Sequence, residues 1–302
     1  MSLSSCRSVK FSLLTILLLG VIFLDACDSD PAPFDMPKPT TYFELPPRSE
    51  SALSGSILVD EIRTMDLQER EDRILVEIIS GNIPSFLRTP VAISFSEMIG
   101  DREYNIRLSV MPDYLAVGSD SDHFLMPMTP ILAQKVMHRI GGSLPTRKLV
   151  DKIWSQATLK LEPAPIPPSA EMVTVPVFEQ HMKLVAAQRS AELANHPLNE
   201  LVAGHKKDVI LSNQITSESS KVIIYGWHML SGSPIQPLYS GHVNWYADYS
   251  HGIRVLMSTC VINDSLMHIS DVLQDPTLYQ LLSDESGLML RTAYDTLSSN
   301  YP

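Results

Sequence analysis

Hydrophobic positions change their period several times along this chain, and each change marks an element. Ile74, Leu75, Ile78 and Ile79 recur at helical spacing, which predicts a helix over 56–80 that stops at Gly81-Asn82. VAISFSEM (91–98), REYNIRLSVM (102–111) and YLAVG (114–118) read as strands, the second with an alternating pattern. Thr129-Pro130 opens a helix by N-cap chemistry and proline at the first position, and Gly141-Gly142 closes it. Thr146 caps a further helix to about residue 157. Phe178, Met182 and Val185 mark another through about residue 193. DVILSN (208–213), KVIIYG (221–226) and IRVLMSTCVI (253–262) are short apolar runs with β-branched content, the signature of buried strands. Ser270 and Ser283 are each expected to cap a short C-terminal helix. The chain has no internal repeat and no heptad.

This order of helix, strands, helices and strands again is not a βαβ alternation. It predicts an α+β fold: a single domain over 56–302 with a mostly antiparallel sheet flanked by helices. Residues 162–176 are dense in proline (Pro163, Pro165, Pro167, Pro168, Pro176) and form either a linker or an extended wrap over the surface.

The amino end changes the picture. Arg7 and Lys10 precede an uncharged apolar run over 11–24, shorter than the ~20 residues of a membrane span. Leu24-Asp25-Ala26-Cys27 resembles a bacterial lipobox. Residues 1–26 are then a signal peptide, Cys27 is the lipidation site, and 27–55 is a Pro-rich tether off the membrane. An ordinary signal peptide cut nearby, or an uncleaved anchor, are the other readings. Cleavage removes two basic residues and one acidic, so the formal net charge goes from −11 to −12. An acidic chain without a basic run argues against nucleic acid as a partner. With Cys27 carrying lipid, Cys260 has no intramolecular partner, and stability rests on a core.

Candidate chemistry concentrates in 225–252, YGWHMLSGSPIQPLYSGHVNWYADYSHG. This stretch holds three of nine histidines, two of three tryptophans and four of ten tyrosines. It joins two predicted strands by roughly 25 residues, a length that in compact domains usually carries function. His242, Asp248 and His251 supply the residue types of a zinc site with two imidazoles, one carboxylate and a position for water. Alternatively they brace the loop backbone. His205, Lys207 and His228 are accessory catalytic candidates. Trp227, Tyr239, Trp245, Tyr246 and Tyr249 could wall a ligand groove, with about half of the aromatics expected in the core. Arg254 could hold a carboxylate, and an ion pair with Asp248 is its structural reading. Cys260 reads as a core hydrophobe, the D-S-D turn at 120–122 as an acidic turn, and Arg147-Lys148 as a solvated helix face.

GNIPSFLR (81–88), PDYLAVGSDSD (112–122), LPTRKLVDKIW (144–154), GHKKDVI (204–210), IYGWH (224–228) and YADYSHGIR (246–254) together resemble a family of secreted bacterial proteins without known activity. The resemblance implies one domain over most of 70–290 and transfers no site residue. Three functions stay open. The first is a lipid-anchored hydrolase of the cell envelope or extracellular space, acting on peptidoglycan, glycan or peptide, with zinc in a metal-assisted version. The second is a non-catalytic glycan- or peptide-binding lipoprotein. The third is a structural or assembly lipoprotein.

Overall fold

A computed structural model describes residues 42–216, 220–296 and 301. The expected signal peptide and Cys27 lie outside the described residues. The described part of the expected tether is not a free spacer. Phe43 is buried in the core, and the Glu44 amide donates to the Ile140 carbonyl. Arg48 reaches the side chain of Asn82 and the carbonyls of Ala52, Leu53 and Gly118.

The expected helix over 56–80 is two helices, α1 (Gly55–Ile62) and α2 (Leu67–Ile79). The break has a local cause. Asp66 forms a capping box with Glu69, and a side chain that satisfies orphan amides starts a helix rather than continuing one. β1 (Val91–Ile99) and β2 (Arg102–Val110) follow as a hairpin in register from Val91↔Val110 to Ile99↔Arg102. The alternation read in 102–111 is a true burial pattern: Tyr104, Ile106, Leu108 and Val110 face the core. β3 (Ala116–Gly118) pairs with β4 (His123–Leu125) around the D-S-D turn. There Asp120 accepts from the Ser85 amide and hydroxyl, and Asp122 accepts from those of Ser56. Both acidic residues are therefore structural.

α3 (Pro130–Ile140) has the expected Thr129 cap, accepting from the Leu132 amide at 3.2 Å, and ends on Gly141 at φ 69°. Its head is fixed to α2 by Glu71. That carboxylate accepts from the Thr129 amide and hydroxyl and from the Tyr301 hydroxyl. β5 (Gly142–Ser143) and α4 (Arg147–Gln156) come next, α4 capped by Thr146 as expected. Arg147 and Lys148 are not simply solvated, since they pair with Asp284 and Glu97.

β6 (Leu159–Lys160) leads into the Pro-rich segment, which runs as an extended wrap pinned where Ile166 exchanges hydrogen bonds with the Tyr249 hydroxyl. α5 (Val175–Glu192), β7 (Val202–Ala203) and β8 (Lys207–Val209) follow, and then β9 (Ile224–His228). The connection after β9 is not one long loop, because β10 (Pro234–Tyr239) turns back and pairs with β9. β11 (His251–Gly252), β12 (Leu256–Ile262), β13 (Ser265–His268), α6 (Ile269–Gln274) and α7 (Tyr279–Leu282) complete the order. Neither expected C-terminal serine cap forms. α6 starts after His268, and Ser283 sits at the end of α7.

The architecture is α+β with mostly antiparallel sheets. One sheet has the order β1–β2–β12–β13, with β5 also on β12. A second has the order β10–β9–β8–β11, in which only β8–β11 is parallel. One hydrophobic core runs from Phe43 to Tyr294 and includes Cys260. Burial pushes that thiol up to about 12, so it is inert. Among the described residues no helix is long and apolar enough to cross a membrane.

Candidate functional site

The second sheet positions the chemistry. On β8, Lys207 lies in register between Gly226 of β9 and His251 of β11, and Asp208 lies between Tyr225 and Gly252. The close packing needs glycine at 252. A Cβ there would come within 2.6 Å of the Tyr114 ring and 2.7 Å of Lys206 Cβ. On β9, Gly226 (φ 103°) and Trp227 (φ 56°) both take left-handed backbone. A bulky residue in that region costs on the order of 1–3 kcal/mol. Its effect is to break the period of two. Tyr225 and His228 come to one place, and Trp227 between them packs on another set.

The first cluster reaches the surface. The Tyr225 hydroxyl donates to Asp151 Oδ1 at 3.0 Å, and His228 Nε2 meets the same oxygen at 3.0 Å. Asp151 is about half exposed, and the His228 side chain is almost fully buried, stacked on Trp154 at 5.5 Å. A carboxylate that already accepts from a phenol fixes the His228 tautomer, with Nε2 donating and Nδ1 left as the acceptor. Behind His228 is a cavity of about 10 Å³ whose wall includes Tyr114, Asp208, His228 and Arg254. That is the size that admits one water. Burial pushes the Asp208 carboxyl up to about 6, and its Oδ2 accepts from the Tyr114 hydroxyl at 3.0 Å.

The second cluster is deeper. Lys206 is fully buried, its ammonium donating to the Tyr249 carbonyl at 2.6 Å and lying 3.2 Å from His181 Nδ1. Burial lowers this lysine to about 7. The Lys207 ammonium lies 5.1 Å over the Trp227 ring and 3.7 Å from Asp248. Burial raises Asp248, but the His251 ring, the Lys207 ammonium and the Ser250 hydroxyl outweigh it, leaving a carboxyl at about 2. Burial also lowers His251 to about 4. Among the described residues, His181 Nε2, Trp227 Nε1 and both His251 ring nitrogens find no hydrogen-bond partner.

Outside this core the rings form a column from surface to interior. Tyr239 meets His242 edge-on at 5.1 Å, His242 stacks on Tyr246 at 3.9 Å, and Tyr246 meets His251 at 5.8 Å. The column holds the two expected zinc imidazoles apart with a tyrosine ring between them. Among the described residues no group of three or more His, Cys, Asp or Glu is arranged to hold a metal ion. His242, Asp248 and His251 therefore do not form the expected ligand set.

The remaining expectations divide. His205 is structural in its contacts: Nε2 lies 3.1 Å from Asp113 Oδ1. Arg254 does not pair with Asp248. It donates to the Met111 and Val202 carbonyls and lies 3.9 Å over the Tyr114 ring. Trp227 and Tyr249 are core residues, while Tyr239 is exposed and Trp245 and Tyr246 are half-buried. Asp151, Lys206 and His181 carry the clusters but were not among the expected site residues, although Asp151 and Lys206 fall in the LPTRKLVDKIW and GHKKDVI segments. Asp151 also shares a helix face with Arg147, a further signal in the spacing.

Set against family models, curated proteins and solved structures, the chain matches none. A surface depression of about 560 Å³ lies on the hairpin sheet around Phe95, Asn105 and Arg107, and its lining includes no residue of either cluster.

Proposed function

We propose that this protein is a hydrolase of a cell-envelope or extracellular polymer, lipid-anchored through Cys27, with His228 and Asp151 as its acid–base pair. The observation that carries the reading is the imidazole–carboxylate contact at 3.0 Å, with the carboxylate half exposed and the ring locked against Trp154. A general base needs a fixed tautomer and a partner that stabilises the imidazolium. His228 takes the proton of an attacking water. Asp151 offsets the charge that forms on the ring. The leaving group takes that proton from the imidazolium. The strained Trp227 holds Tyr225 and His228 on the same carboxylate. The leader pattern of residues 1–27 supports the anchoring and the substrate class, since an exported, tethered domain would meet peptidoglycan, glycans and secreted peptides.

The test is release of reducing ends and free amino groups from purified peptidoglycan and glycan by the mature chain. His228→Gln and Asp151→Asn should each lower turnover by ~10²–10⁴-fold with an unchanged circular dichroism spectrum. Full activity in a folded His228→Gln protein refutes the assignment.

A further inference from the structure

A cleft of about 230 Å³ lies between α2 and the aromatic loop, and its lining includes none of the His228–Asp151 pair. Leu67 and Arg70 come from α2, Val173 from the segment before α5, and Trp245, Tyr246 and Ala247 from the loop. Its walls are largely apolar. Arg70 is the exception. It is only 8 % exposed, and its guanidinium lies 5.3 Å over the Phe178 ring. An arginine carries five N–H donors and a permanent charge. Here one N–H reaches the Val173 carbonyl, at a long 3.4 Å, and Nε has no partner among the described residues. None of the ion pairs among the described residues includes Arg70. The adjacent Glu71 is committed to Thr129 and Tyr301.

Glu71 is the opposite charge nearest Arg70 but makes no direct ion pair with it, and a buried guanidinium with donors left unmade is costly. Aromatic and aliphatic walls around a single guanidinium complement one ligand class: a carboxylate carried on a flat or aliphatic body. The volume falls below that of a drug-sized pocket, roughly 300 Å³ and up, which limits the occupant to one terminal group. We infer that this cleft binds the carboxylate end of an apolar small molecule or peptide C-terminus, with Arg70 as the anion receptor and Trp245 and Tyr246 as the walls. The site goes beyond the hydrolase reading and stands without it.

Calorimetric titration of the mature protein with N-acetyl-phenylalanine and with its carboxamide tests the assignment. The acid should bind at least tenfold more tightly than the amide. Arg70→Gln should abolish that preference, and Arg70→Lys should weaken it. Leu67→Trp, which fills the cleft and leaves Arg70 in place, should remove binding in a protein that still unfolds cooperatively. Phenylpropionate serves as the second probe: equal binding identifies a small-acid site, and weaker binding identifies a peptide terminus. His228→Gln should bind the acid as the parent does, so failure of the hydrolase reading leaves this result intact. Equal affinity for acid and amide, a preference that survives Arg70→Gln, or no binding by either probe up to about 10 mM overturns the inference.

Discussion

In the β1–β2–β12–β13 sheet, Ile106, Leu108 and Val110 alternate inward and the charged residues of the strands point out. In the β10–β9–β8–β11 sheet, five-residue β9 is buried along its whole length, and the neighbouring β8 carries Lys207 and Asp208 into the interior just after buried Lys206. Among the described residues the first sheet takes positive φ only in its turns, although β12 slips register against β2 between Leu256 and Cys260. The second breaks regularity inside β9, at Gly226 and Trp227. Polar groups accumulate where the alternation is broken, because only there can successive side chains be sent to one place. Local backbone strain and buried charge are thus parts of the same device.

The sharpest way to break this comparison is to remove the buried arginine just past β11 of the second sheet and, separately, an exposed one from the first. Arg254→Ala takes the guanidinium from between Tyr114 and two carbonyls, and should cost ~3–5 kcal/mol by leaving buried polar groups unmatched. Arg107→Ala on the exposed face of β2 should fall within about 0.5 kcal/mol. Equal losses in urea unfolding would erase the distinction.

A smaller effect sharpens it through pH. The folded-state carboxyl of Asp208 is raised to about 6, so its contribution is complete below about 4 and is lost as pH rises through 6. His251 is lowered to about 4 and acts with the opposite sign. Its contribution is complete above about 6.5 and is lost as pH falls to 4. The two oppose each other between pH 4 and 6. Asp208→Asn should uncover the His251 slope, so that its stability relative to the parent rises by ~3 kcal/mol across that window. A constant difference between the two urea profiles at pH 4, 5 and 6 would show that Asp208 does not titrate there.

The smallest effect belongs to the regular sheet. The β12–β13 hairpin turns on Asn263 (φ 45°) and Asp264 (φ 69°), with the Asn263 side chain accepting from the Asn105 amide. Asp264→Gly should stabilise the protein by ~0.5–1 kcal/mol, read as a rise in thermal midpoint, because glycine occupies that backbone without strain. A fall would mean that the Asp264 side chain has a role its backbone does not explain.

What was legible in the sequence was what is decided locally. Thr129-Pro130 and Gly141 bound α3, and Thr146 opens α4, because caps act within one turn. The hairpin β1–β2 shows in its alternation. β10 was read as loop, since PIQPLY carries two prolines. It sits at the sheet edge, where proline is tolerated. The concentration of imidazoles and polar-tipped aromatics around 225–252 was also visible, yet their partners were not. Asp151 meets His228 across 77 residues, and Lys206 meets His181 across 25. Such pairings depend on tertiary packing that no spacing records. The zinc reading failed for the same reason: residue types were right for a metal, but a tyrosine ring separates the imidazoles.

The three tryptophans are distributed one to each place of interest. Trp154 stacks on His228, Trp227 lies under Lys207 and beside His181, and Trp245 walls the Arg70 cleft. The protein therefore carries its own optical probes. Replacing any two by phenylalanine leaves a single emitter whose quenching or shift reports on one locus, so the His228–Asp151 pair, the surroundings of Lys207 and occupancy of the cleft can each be followed in its own variant without a label.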